Sequence, residues 1–122
     1  MASFDAVSRM LTGDDGVEQI LGASISPNLL PLLGVRPILG RNFSTEEAEQ
    51  QQRLVLISHR FWQARFGGSR DALGATLVLS GFPCRIIGIL PADFQIARLD
   101  ADVWEPHPTH RTVSGAETWF VV

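Results

Sequence analysis

The sequence contains no lysine and no tyrosine, and its one cysteine is Cys84. A lone thiol excludes an internal disulfide and a multi-cysteine metal site, while leaving the redox compartment open. Without lysine there is no Gly-x-x-x-x-Gly-Lys-Ser/Thr loop, so the chain is not an ordinary P-loop ATPase. Arginine supplies all ten basic residues against thirteen carboxylates, a net charge of −3. These arginines form no stripe that would follow a phosphate backbone, which argues against nucleic acid as a partner. No run of about 18 apolar residues is present, and the first residues lack the charged and apolar regions of a signal peptide, so the chain as given is expected to be soluble.

What is present fits one domain: 122 residues with a mean hydropathy of +0.12 can bury a core without metal or disulfide. The organising stretch is Leu54 to Pro91. Leu54-Val55-Leu56-Ile57 is too short for a helix and continuously apolar, which predicts a strand covered on both faces near the middle of the sheet. Ser58 stands at an N-cap position and Gly67-Gly68 at a C-cap, so His59 to Phe66 is predicted to be a helix. Phe61, Trp62, Ala64 and Phe66 load one side of it, each large side chain contributing about 1.5 to 3 kcal/mol if fully buried. Leu77 to Leu79 and Ile86 to Leu90 then predict a hairpin with its tip at Ser80-Gly81 or Gly81-Phe82. Pro83, with no amide to donate, belongs at the start of a strand or on an edge.

Upstream, Phe4 to Leu11 has helical spacing but leads into Gly13-Asp14-Asp15-Gly16, and the turn chemistry favours a strand returning through Val17 to Ile25. Ser26-Pro27 predicts a cap and first helical position for a small buried helix through Leu29, Leu30, Leu32 and Leu33, with Pro31 as a kink or 3₁₀ turn. Val35 to Phe43 is an extended connection. Ser44-Thr45-Glu46-Glu47 has the pattern of a capping box opening a polar helix from Thr45 to about Gln51. Downstream, Ala92 to Asp102 is a loop anchored by Phe94 and Ile96, Val103-Trp104 a brief strand, Glu105 to Gly115 irregular, and Thr118 to Val122 strand-like.

The residues offer little chemistry. Asp102, Glu105, His107 and His110 gather two carboxylates and two imidazoles, but the intervening prolines keep the histidines off one helix face and no third nitrogen or sulfur ligand follows. Ser58-His59 lacks a nucleophile elbow and reads as a cap. Cys84 reads as a half-buried structural thiol whose pKa Arg85 would lower if it were exposed. Phe66-Gly67-Gly68-Ser69 follows a helix, where a phosphate loop must precede one. No catalytic, cofactor-binding or metal-binding residue is assigned, and no cofactor is expected.

The segments taken together resemble a known family. Ile25 to Pro37 (ISPNLLPLLGVRP), with Leu39-Gly40-Arg41 and Phe43, is similar to the V-S-x-N-F/Y-F-x-x-L-G-V-x-P-x-x-G-R-x-F stretch of MacB-like periplasmic core domains. Val55 to Gly68 resembles that family's V-I/V-L-S-x-x-F/L-W-x-x-x-F-G-G block. Leu77, Leu79, Gly81, Gly88, Pro91 and Phe94 match its following hairpin block, and Asp102-Val103-Trp104-Glu105-Pro106 its D-V/L-W-x-P. Leu29 and Leu30 stand where the family has aromatics, and Ser80 where it has Asn.

The resemblance implies an α+β fold, a small mixed or antiparallel sheet with short helices on one face. It implies that residues 1–122 form a single domain, a fragment of a larger extracytoplasmic domain on the periplasmic side of a bacterial inner membrane; residues 1–3 are candidates for an artificial addition to the natural chain. The implied function is a non-catalytic domain of an ABC-type permease that couples conformational change or docks partner proteins. The implied partners are the remainder of the permease chain, a cytoplasmic ATPase, and periplasmic or outer-membrane adaptor proteins, with the membrane reached through the parent protein alone. Arg36, Arg41 and Arg98 are the expected partner contacts. An extracytoplasmic sensor for a small molecule or peptide, with a pocket lined by Trp62, Trp104 or Trp119, is the alternative. A hydrolase built on Ser58, His59 or His107 to His110 is the remaining reading.

Overall fold

The computed structural model describes residues 4–13, 16–50, 52–94 and 100–106. Strand β1 (Phe4–Gly13) pairs antiparallel with β2 (Gly16–Ile25) from Phe4 opposite Ile25 to Gly13 opposite Gly16, so the turn chemistry prevails over the helical spacing. The turn residues Asp14 and Asp15 lie outside the described set.

Helix α1 (Leu29–Leu33) differs from the expectation in two ways. Its N-cap is Asn28, because Ser26 accepts the Leu29 amide at 3.1 Å and Ser26-Pro27 is spent on the turn before the helix. Only Leu29 and Leu30 are buried; Leu32 and Leu33 are 68% and 51% exposed, since five residues make too short a helix to be covered all round. Pro31 is its third residue, where an amide would have no intrahelical acceptor, so the proline breaks no bond. Beyond Gly34 come the two-residue strand β3 (Leu39–Gly40) and helix α2 (Thr45–Glu49), which ends two residues before the expected Gln51. The capping box forms: the Glu47 amide donates to Ser44 Oγ at 3.1 Å and the Ser44 amide to Glu47 Oε1 at 2.9 Å.

The central unit follows the local signals closely. All four residues of β4 (Leu54–Ile57) are buried, and α3 (His59–Phe66) starts on Ser58, whose Oγ accepts the Phe61 amide at 3.1 Å, and stops at Gly67 with φ 60°. After a 3₁₀ turn at Arg70–Ala72, β5 (Thr76–Leu79) and β6 (Phe82–Ile89) form a hairpin around Ser80 and Gly81, with φ of 50° and 87°. Pro83 lies opposite Val78, ahead of Arg85, where pairing with β4 begins, so no neighbouring strand lacks a donor. Strand β7 (Val103–Pro106) is longer than expected. Glu105 and Pro106 continue it by pairing with Ser24 and Ile25, a parallel ladder that local sequence does not announce. Ile96, residues 107–115 and Thr118 to Val122 lie outside the described residues.

The sheet is mixed, with order β3-β6-β4-β7-β2-β1-β5, and β5 pairs back onto β6. Six strands therefore close into a barrel, with β3 alongside the far end of β6. The closing contact between β1 and β5 is only Leu11 opposite Leu79 and Thr12 opposite Val78. Every strand of the ring sends at least one side chain inward: Leu11, Ile20, Val103, Val55, Ile57, Ile86, Ile89, Leu79 and Cys84 form one core with Phe61 and Trp62 of α3. The register shift between Val55 and Leu56, where β6 carries an extra residue, lets Ile86 and Ile89 share that interior despite their odd spacing. Outward, Leu54, Leu56, Ala23, Ile25 and Trp104 form a second core beneath Leu29 and Leu30 of α1. Helix α3 thus packs on the first core and α1 on the second.

Candidate functional site

Alternation along the strands decides what the barrel encloses. Arg9 shares the inward side of β1 with Leu11, and Glu105 shares that of β7 with Val103. They meet as a bidentate ion pair, Arg9 Nε donating to Glu105 Oε2 at 2.7 Å and Nη2 to Oε1 at 2.9 Å. Helix α3 closes the barrel where β4 ends. The opposite end, at the starts of β4 and β6 and the ends of β2 and β7, opens on a cleft of about 440 Å³. Arg53 stands at its rim with its guanidinium 3.8 Å from the centre of the Phe82 ring.

Cys84 lies in the wall of this cleft, 7% exposed, with Sγ 3.5 Å from the Phe82 carbonyl. Burial pushes its thiol pKa up, and the Glu105 charge adds to this against the opposite pull of Arg53 and Arg9. The cations acting on the thiol are these two rather than Arg85. No local signal marks Arg9, Arg53 or Glu105 in the sequence as a group, since Arg9 and Glu105 are 96 positions apart. The only trace is a charged residue at an inward position of an alternating strand.

The expected contact residues fall elsewhere. Arg36 is exposed and forms no ion pair with a described residue, whereas Arg41 is engaged. Its Nη1 and Nη2 donate to the Glu47 carboxylate at 2.9 and 2.8 Å, and Nη1 also donates to the Asn42 carbonyl at 3.1 Å. That guanidinium, helped by Ser44, holds the Glu47 carboxyl down at a pKa of about 2. The two arginines flank β3. Arg98 lies outside the described residues.

Among the described residues the catalytic alternatives find no geometry. Ser58 Oγ is spent on its cap, and the His59 ring packs edge-on against Trp62 with centroids 5.4 Å apart. Asp102 is 3.7 Å from Arg60 and Glu105 is taken by Arg9; His107 and His110 lie outside the described residues. Among the described residues no three of His, Cys, Asp and Glu gather as metal ligands. Of the tryptophans expected to line a pocket, Trp104 borders a small cleft of about 170 Å³ beside Ser58, Pro91 and Phe94, Trp62 packs in the other core, and Trp119 lies outside the described residues. No helix among the described residues is long and apolar enough to cross a membrane.

Comparison with known proteins follows the same lines. The chain is 27% identical over 89 residues to the probable syringafactin export ATP-binding/permease protein SyfD of Pseudomonas syringae pv. syringae (strain B728a), covering 71% of this chain and 14% of that protein. It is 26% identical over 101 residues to the macrolide export ATP-binding/permease protein MacB 1 of Aeromonas hydrophila, covering 80% and 16%. The chain therefore spans about a seventh of the length of these relatives. Among solved structures, the periplasmic region of MacB from Actinobacillus actinomycetemcomitans shares the fold with a TM-score of 0.70 at 17% identity, covering 87% of this chain and 47% of that one. The extracellular domain of the transporter YknZ from Gram-positive bacteria gives 0.69 at 18%, covering 86% and 52%. The profile of the MacB-like periplasmic core domain matches residues 1–122, so the chain belongs to that family and to the extracytoplasmic side of the membrane.

Proposed function

We propose that this chain serves an ABC-type permease as a non-catalytic coupling element, carrying conformational change between the membrane part of its own protein and partners outside it. The observation that carries the reading is where the first and last described strands of the barrel sit. Phe4 lies opposite Ile25, and Ile25 opposite Pro106, so β1 begins and β7 ends at one end of the barrel, two strand spacings or roughly 10 Å apart. A closed sheet around a packed core deforms little, and held at that end it would move as a body. The polar groups described above are spent on caps and ion pairs rather than converging on a reactant, which favours coupling over catalysis.

On this reading the partners are the rest of the permease chain, a cytoplasmic ATPase, and periplasmic or outer-membrane adaptor proteins, as expected for an exporter. Arg36, Arg41 and Arg98 are the proposed contacts, with Arg36 foremost because it forms no ion pair among the described residues. The test is a panel of charge reversals at Arg36 and Arg98 in the full-length permease, scored for export and for ATPase stimulation. Loss of either activity with normal membrane levels supports the role. Unchanged export and ATPase activity across the panel and the neighbouring loops would sink it.

A further inference from the structure

The open end of the barrel is shaped unlike a packing defect. Its volume, about 440 Å³, falls within the roughly 300 to 1,000 Å³ typical of small-molecule sites, and barrel mouths are among the places where such sites occur. Its walls are unequal. One is apolar, built from Val55, Leu79 and Phe82, and the other carries Ser24 and the Arg9–Glu105 pair.

The charges are also unequal. Arg9 is neutralised through both oxygens of Glu105, leaving nothing for a ligand to discharge there. Arg53 has no carboxylate partner among the described residues, and its guanidinium lies over Phe82, itself 50% exposed. Stacking uses the face of a guanidinium and leaves its N–H edge directed outward, the edge that grips a carboxylate in a fork. The mouth therefore offers one unbalanced positive charge beside an apolar wall.

We infer that the open end of the barrel binds a small amphiphilic carboxylate, with its charge on Arg53 and its apolar body against Leu79 and Phe82. A cation would meet Arg53 without compensation, and a neutral apolar molecule would leave the guanidinium unused. The site stands independently of the coupling role, because it depends only on strand ends within this barrel.

The test is titration of the 122-residue protein with decanoate, followed by backbone amide chemical shifts, with decanol as the uncharged counterpart. Saturable shifts at Arg53, Leu79, Ser80, Phe82 and Cys84, with α1 and α2 unmoved, are expected. One charge-assisted fork corresponds to about tenfold in affinity, so Arg53→Gln and the change to decanol should each weaken binding by about that factor. Arg53 is exposed, and the unliganded spectrum of the variant checks that its fold is kept. No saturable shift below the micelle threshold, shifts centred elsewhere, or equal affinity for decanoate, decanol and the variant would each overturn the assignment.

Discussion

Gly40 and Gly88 face each other in the register of β3 and β6, and neither has room for a methyl group. A Cβ at Gly88 would sit 2.6 Å from the Arg41 carbonyl oxygen and 2.8 Å from Leu56 Cδ2, while one at Gly40 would run into the Ile87 carbonyl. Gly34 shares the positive φ of Gly40, 73° against 76°, but has open space around it. Gly88→Ala is expected to destabilise by about 1 to 3 kcal/mol through overpacking, and Gly34→Ala by about 1 kcal/mol from backbone strain alone. Gly40→Ala combines both costs and should be the worst of the three in urea unfolding. Equal losses at Gly34 and Gly40 would mean that backbone conformation, not the close approach of β3 to β6, sets the cost.

The Arg9–Glu105 pair joins two strands that are distant in sequence. Both side chains are partly covered, at 31% and 17% exposure, so removing one leaves the other half-desolvated without a partner. Glu105→Gln is expected to cost about 1 to 2 kcal/mol after allowance for solvent screening of the exposed third of Arg9. The Arg9→Met, Glu105→Leu double variant should recover part of that loss. A double-mutant cycle with no coupling would show that the pair merely coexists in the barrel.

Two carboxylates give stability opposite dependences on pH. The hydrogen bonds from Arg41 hold Glu47 at about 2, below its ordinary 4.5, so its contribution is complete above about pH 5 and is lost as pH falls toward 2. Because Arg41 is 56% exposed, the amplitude should be no more than about 1 kcal/mol. Unfolding curves from pH 6 to pH 2 should show Glu47→Gln losing less stability than the parent over that window. Asp102 has its pKa raised by burial, which outweighs the attraction of Arg60, so its ionised form weakens the fold. Asp102→Asn should match or exceed the parent in stability at pH 7 and lose that advantage as pH falls through the raised pKa.

Burial and a raised pKa should together make Cys84 slow to react. Iodoacetamide at pH 7.5 is expected to modify it more slowly than in denaturant, since the fold both covers the sulfur and disfavours its thiolate. Equal rates would place the thiol in solvent and open the barrel wall beside β6.

The parts of this fold legible in the sequence are those fixed by neighbours in the chain. Ser58 and Gly67 bracket α3, Ser80-Gly81 sets the hairpin, and Ser44 with Glu47 opens α2, each within a few residues. The parts that escaped depend on partners far away. Ring closure rests on Leu11 against Leu79 and Thr12 against Val78, and the extension of β7 through Glu105 and Pro106 exists because β2 is there to pair with it. The cap of α1 moved to Asn28 because two local signals competed, and the turn through Ser26-Pro27 took the acceptor. Of the site, Arg36 and Arg41 were visible as loop arginines, but that Arg41 is committed to Glu47 required the fold. The barrel mouth was invisible because Arg9, Arg53 and Glu105 come together only when the sheet curls.

Strand β7 sits between β4 and β2, yet it is the last described strand to be synthesised. A growing polypeptide that has emerged only as far as Asp102 holds two unzippered seams, Leu56–Ile57 awaiting Val103 and Trp104, and Gly22–Ile25 awaiting Val103 to Pro106. Unpaired edges of this kind attract foreign strands, and the arrival of β7 closes both at once.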